Sequence, residues 1–218
     1  MLTWVLSSRK GGVGKTTLTA HLAIAAVQSG LSVAVADYDP QGGLAAWFNA
    51  RKVPLSGLAF ANANGGIIGA RDAAERGGVD LFLVDTEPGS GDSVADALAI
   101  ADLVVTPVQA SPNDLRAVGS TVRLVNESGK PMVFVINRVK PRVRLTHQAS
   151  AALSQHGTVA PVLIGDRTDF ASSMTGGLTA GELEPKSKSA AEVGELLAYL
   201  RERSEIVAAR AGQGRAVA

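Results

Sequence analysis

Cysteine is absent from all 218 residues, so no iron–sulfur cluster or metalloid can be held through thiolates. Aromatic side chains are scarce at 4%, although 46% of the chain is apolar. Alanine and valine are abundant in that fraction, and 24 glycines stand beside it, as expected for an α/β protein whose helices pack closely on a sheet. No apolar run reaches the roughly 20 residues that a bilayer crossing needs, and no secretory signal opens the chain, so a cytoplasmic location is expected. The formal charge is only +1, which gives no global pull on polyanions; any nucleic-acid surface must be a local patch. The three histidines, His21, His147 and His156, have no partners at metal-ligand spacing. Serines are plentiful, but no nucleophile motif surrounds them. Length and continuity fit one domain over residues 1–210, with 211–218 reading as a frayed tail.

The chemistry begins between the first strand and the first helix. Leu2, Trp4, Val5 and Leu6 form a short apolar run suited to a buried strand. Leu18, His21, Leu22, Ala25 and Ala26 then recur at helical steps, with Gly30 as a C-terminal stop. Between them lies Lys10-Gly11-Gly12-Val13-Gly14-Lys15-Thr16-Thr17, close to the P-loop pattern Gly-x-x-x-x-Gly-Lys-Thr but with Arg9 where its first glycine stands. Glycines let successive N–H groups turn inward around phosphate oxygens, and the helix N-terminus adds partial positive charge there. Lys15 is placed to reach the β- and γ-phosphates, and the Thr16 hydroxyl to ligate Mg²⁺.

Further apolar runs at 31–39, 79–87, 101–109, 130–139 and 158–165, with a weaker edge candidate at 58–61, make at least six strands. The lack of alternation and the long connections predict a doubly wound, mainly parallel sheet flanked by helices. Ligands in such folds bind beyond the carboxyl ends of strands. Asp37 and Asp39 in "VAVADYDPQGG", Asp85 in "LFLVDTEPGSGD" and Asn137 in "VFVINRV" all stand there. Four apolar residues ending in Asp85 read as a Walker B strand, its carboxylate holding Mg²⁺ or its waters.

Lys10 makes the loop resemble the deviant Walker A motif, Lys-Gly-Gly-x-Gly-Lys-Thr-Thr, of the ParA/MinD group of P-loop ATPases. The resemblance extends in order over nearly the whole chain, through "DPQGGLAAWFNARK", "TPVQASPNDLRAV" and "DRTDFASSMTGGLTAGELEPKSKSAAEVGELLAYL", and is nearest to small plasmid-type ParA proteins. It implies that residues 10 to 17 bind ATP with Mg²⁺, and that Lys10 crosses a dimer interface to the partner's nucleotide. It implies that Asp39 orients the attacking water, that Asp37 lies near the Mg²⁺ site, and that Asn137 and Arg138 contact adenine. No Asn/Thr-Lys-x-Asp motif is present, which favours ATP over GTP. Glu87 interrupts the family's Asp-Thr-Pro-Pro/Gly continuation, an altered switch II. The missing cysteines exclude the branches that bind iron–sulfur clusters or arsenite.

The same resemblance implies an ATP-state homodimer, nonspecific double-stranded DNA, a ParB-like adaptor carrying cargo, and association with the nucleoid. Lys140, Arg142 and Arg144 cluster without an acid between them and are the candidate DNA contacts. A stripe of Val193, Leu196, Leu197, Leu200 and Val207 carries glutamates on its polar face, so it is expected to dock on the sheet and not on a membrane. Two other readings share the fold: a positioning ATPase for a cargo other than DNA, and a small-molecule P-loop ligase.

Overall fold

The computed structural model describes the backbone of residues 1–140 and 145–215, with side chains as far as residue 210. In chain order the elements are β1 (Leu2–Leu6), α1 (Lys15–Gln28), β2 (Val33–Tyr38), α2 (Gly43–Asn49), β3 (Leu58–Phe60), α3 (Ile67–Arg76), β4 (Leu81–Thr86) and α4 (Asp92–Ala99). There follow β5 (Leu103–Gln109), α5 (Pro112–Glu127), β6 (Met132–Asn137), α6 (Leu145–Ser154), β7 (Thr158–Val159), α7 (Thr168–Met174), α8 (Ala180–Leu183) and α9 (Lys188–Arg215).

The seven strands lie in the order β3-β2-β4-β1-β5-β6-β7, and every pairing is parallel. Side chains alternate between faces. Trp4, Leu6, Val33, Val35, Leu81, Leu83, Leu103 and Val105 point to one layer, shared with α1, α2 and α9. Val5, Ala34, Ala36, Phe82, Val84 and Val104 point to the other, under α3, α4 and α5, and a third cluster joins α5 and α6 to Phe134 and Ile136. Both faces are covered, which is why the strands read as continuous apolar runs.

Two boundaries differ from expectation. The run 158–165 is a strand only at Thr158–Val159, because Pro161 has no N–H to donate to a ladder; the chain rejoins the sheet further on, where Ile164 N donates to Ile136 O at 3.1 Å. At the other end, α9 continues to Arg215, into the stretch expected as tail. Gly30 does stop α1: it takes φ +92°, and Gly30 N and Leu31 N bond to Val27 O and Ala26 O, a Schellman closure. Val193, Leu196, Leu197 and Leu200 are buried in the layer that α1 shares with the sheet. Among the described residues no helix is long and apolar enough to cross a membrane.

Candidate functional site

β1 lies between β4 and β5, so the loop that leaves its end opens at the point where strand order reverses, the usual place for a ligand in such sheets. This loop ends at Gly14, the N-cap of α1, with φ +95° and no side-chain cap. α1 has no acidic residue in its first turn, so its positive end is left for an external anion. Glycine is required at 14 on two counts: its φ, and the collision that a β-carbon would make with Nδ2 of Asn137.

Lys15 is buried, its Nζ 3.5 Å from Ser8 O. Burial lowers its pKa, while the negative charges of Asp85 and Asp39 act against that. Thr16 Oγ1 donates to Oδ2 of Asp85 at 2.5 Å. Asp85 is fully buried, and its other oxygen, Oδ1, has no partner among the described residues. Burial first, with Asp37 and Asp39 adding to it, pushes the Asp85 carboxyl from 3.8 up to about 7; Thr16 and Lys15 work in the opposite direction. A buried carboxylate oxygen left bare beside a threonine hydroxyl fits a hard cation that takes oxygen ligands and keeps waters, such as Mg²⁺. Among the described residues no three His, Cys, Asp or Glu converge as a self-sufficient metal site.

The two switch aspartates differ. Asp37 accepts from Asp39 N at 3.0 Å and from Ala45 N at 2.8 Å, and so anchors the first turn of α2. It faces Asp85 across the β2–β4 ladder. The Asp39 carboxylate accepts from Gln41 N at 2.9 Å, its one partner among the described residues, and borders the cleft above Lys15 and Thr16. That cleft, about 480 Å³, runs from Gly12 and Thr17 to Asn137, Arg138, Asp166 and Phe170.

Sequence reasoning missed the struts of the loop. Asn137, the expected adenine contact, donates from Nδ2 to Val13 O at 2.7 Å, and its Oδ1 accepts from Arg138 N at 2.9 Å. Its amide is thus engaged in holding the loop and the turn after β6. Arg138 has φ +54° and pairs with Asp166 at 3.2 Å on the rim. Gln109, at the end of β5, donates to Gly12 O at 3.0 Å. Lys10 bonds within its own chain, its Nζ 2.8 Å from Oδ2 of Asp114. Glu87 bonds Ser93, at the start of α4. Lys140 is exposed; Arg142 and Arg144 lie outside the described residues. His21 is structural: its Nδ1 faces Thr17 O at 2.8 Å and its Nε2 accepts from Ala180 N at 3.1 Å. Burial keeps its pKa below the usual value.

Residues 4–180 match the model of the CobQ/CobB/MinD/ParA nucleotide binding domain. The chain belongs to that family. Among its relatives, Protein IncC of Escherichia coli is 27% identical over 258 residues, covering 94% of this chain and 71% of IncC. Maintenance of carboxysome distribution protein A of Halothiobacillus neapolitanus is 25% identical over 220 residues, covering 89% of this chain and 94% of its own. The solved structure of the Pyrococcus furiosus cell division ATPase MinD superposes with a TM-score of 0.77 over 92% of this chain and 98% of that one, at 17% identity, a likeness of fold. The loop at 10–17 lies within the matched residues. The partition and positioning proteins among the relatives set the class in which a function is sought.

Proposed function

We propose that this ParA/MinD-family chain is an ATPase that dimerises on ATP, binds nonspecific double-stranded DNA in that state, and positions cargo presented by a ParB-like adaptor. The observation that carries the reading is the uncapped N-terminus of α1 beside the Thr16–Asp85 pair, with Asp85 Oδ1 bare. The N–H groups of residues 11 to 17 cradle the triphosphate, and Lys15 pairs with its β- and γ-oxygens. Thr16 and Asp85 hold Mg²⁺ or its waters, with Asp37 adding negative charge nearby. A bound Mg²⁺ supplies charge neutralisation to the transferring phosphoryl group.

Catalysis is positional and electrostatic. Asp39, with only one backbone partner, orients the attacking water. Lys10 of each subunit reaches the other subunit's nucleotide, which makes the complete site a property of the dimer. Asn137 steadies the loop, and Arg138 borders the base end of the cleft. Lys140, Arg142 and Arg144 supply the DNA contacts, and the DNA-bound form associates with the nucleoid in the cytoplasm.

A second reading keeps the same ATPase and changes the cargo. A relative whose match spans 89% of this chain and 94% of its own length is named for carboxysome distribution, so a protein assembly in place of a plasmid or chromosome is a live alternative. Light scattering after size exclusion tests the common core, with ADP, ATP and a slowly hydrolysed analogue on wild type and Lys10→Ala. An ATP-specific dimer lost in Lys10→Ala is expected. A nucleotide-indifferent mass would end the dimer cycle and favour the small-molecule ligase.

A further inference from the structure

The turn that carries Asp39 leads straight into α2, and α2 has little of its own to hold it. It is seven residues long, its N-cap is Gly42, and it carries no acid in its first turn and no base in its last; a helix that short is marginal alone. Yet both switch aspartates depend on it. Asp37 Oδ2 accepts from Ala45 N, and Asp39 O accepts from Gly42 N at 2.9 Å. The far end of α2 is tied to the connection between α7 and α8. Trp47 Nε1 donates to Leu178 O at 3.1 Å, and Arg51 Nη1 to Gly177 O at 2.8 Å. The Arg51 guanidinium also grips Glu182 with both terminal nitrogens, at 3.2 and 2.6 Å. These two side chains are only 7% and 15% exposed.

The connection is itself held from behind. Ala180 N donates to His21 of α1, and Thr179 and Glu182 form a capping box. A β-carbon on Gly177 would stand 2.4 Å from Arg51 N, so the two backbones touch there. α7, which the connection continues, presents Phe170 and Ala171 to the cleft. A buried ion pair adds little stability over apolar residues of the same shape, and here Arg51 Nε is buried without a partner among the described residues. What a two-pronged guanidinium adds is direction. We infer that Arg51 and Glu182 are positioning residues for the hydrolytic step: they clamp the end of α2 to the wall of the cleft, and so hold Asp39 in register beside the phosphate loop. The inference rests on the reading of Asp39 as the residue that orients the attacking water.

Three substitutions loosen the clamp by different routes. Arg51→Lys keeps the charge and loses the fork. Glu182→Gln keeps an acceptor for Thr179 and loses the ion pair. Trp47→Phe keeps an aromatic body and loses the bond to Leu178 O. None of the three is among the described residues that line the cleft, so each reaches the chemistry only through α2. Each is made alone and combined with Asp39→Ala. For every protein the ATP dissociation constant is measured by calorimetry, the mass with ATP by light scattering, kcat by single-turnover hydrolysis of labelled ATP, and the melting temperature by calorimetric scan.

Arg51→Lys and Glu182→Gln should lower kcat about tenfold or more, since misplacing a reacting group by about 1 Å can cost a hundredfold. ATP affinity and the mass with ATP should stay at their wild-type values, and Trp47→Phe should show a smaller loss of the same kind. In the Asp39→Ala background none of the three should slow hydrolysis further, because the carboxylate they position is already gone. If the clamp is only structural, the melting temperature falls while kcat stays at the wild-type value, or the loss falls on ATP affinity. Either result overturns the inference, and so does an equal further loss of kcat in the Asp39→Ala background. If Arg51→Lys fails to fold, Trp47→Phe and its combination with Asp39→Ala decide. An Asp39→Ala protein that turns over like wild type would remove the reading of Asp39, and the inference with it. Additive losses in a protein that does need Asp39 would remove the inference alone, so the two failures are distinguishable.

Discussion

Asp85 should make the empty protein less stable as the solution approaches neutrality. Its carboxyl is raised from 3.8 to about 7, so between those values the folded chain holds a proton that the unfolded chain has released. The stability that this proton contributes is complete below pH 3.8 and is lost as pH rises through 7. Over about three pH units, at about 1.4 kcal/mol each, the loss approaches about 4 kcal/mol. That is a large fraction of a typical domain's stability.

Asp85→Asn keeps a side chain that can bond Thr16 and removes the ionisation. Urea denaturation of both proteins, without Mg²⁺ or nucleotide, should show equal stability near pH 4. By pH 7 the variant should lead by a few kcal/mol. The difference is the diagnostic quantity, because His21 bends each curve the other way: its pKa is lowered by burial, so stability is lost as pH falls below 6.5. The two sites share no contact, so their effects should add. Mg²⁺ with ADP should stabilise the wild type beyond ADP alone, and that increment should vanish in Asp85→Asn. Parallel wild-type and variant curves from pH 4 to 7 would refute the reasoning, by showing Asp85 ionised at an ordinary pKa in its buried site.

Lys15→Ala should weaken ATP binding about a hundredfold, through loss of charge-assisted bonds to phosphate; retained tight binding by calorimetry would remove the phosphate-loop assignment. Asp39→Ala should still dimerise on ATP but hydrolyse it about a hundredfold more slowly, and unchanged turnover would take Asp39 out of the mechanism. Asn137→Ala should leave Val13 O unbonded, costing about 1–3 kcal/mol. It should weaken ATP, GTP and inorganic triphosphate alike; a loss confined to ATP would make Asn137 a base reader instead of a strut. Leu196→Ala, at a fully buried position on α9, should cost about 2–5 kcal/mol in urea denaturation with an unchanged slope. A change near zero would show that α9 does not dock as described.

The sequence made the chemical half of the site legible because that chemistry is local. Gly14, Lys15 and Thr16 adjoin in the chain, and Asp85 ends a run of four apolar residues whose strand character is plain. Asp37 and Asp39 are legible as strand-end carboxylates, but not their division of labour, since Asp37's second bond is to Ala45, in a helix not yet begun. The struts are non-local. Asn137 reaches Val13 across 124 residues and Gln109 reaches Gly12 across 97, and no spacing rule predicts either pairing. The strand at Thr158–Val159 is shorter than its apolar run for a different reason: Pro161 lacks the N–H that a ladder needs, whatever the apolar content around it.

The division between these two halves follows the sheet. The carboxylates to which the proposal gives the metal and the water come from β2 and β4, on one side of β1. The groups that restrain the loop come from β5, α5 and β6, on the other: Gln109 on Gly12, Asp114 on Lys10, Asn137 on Val13. The loop therefore lies between a chemical side and a mechanical side, and one segment, Gln109 to Asp114, carries two of the three restraints.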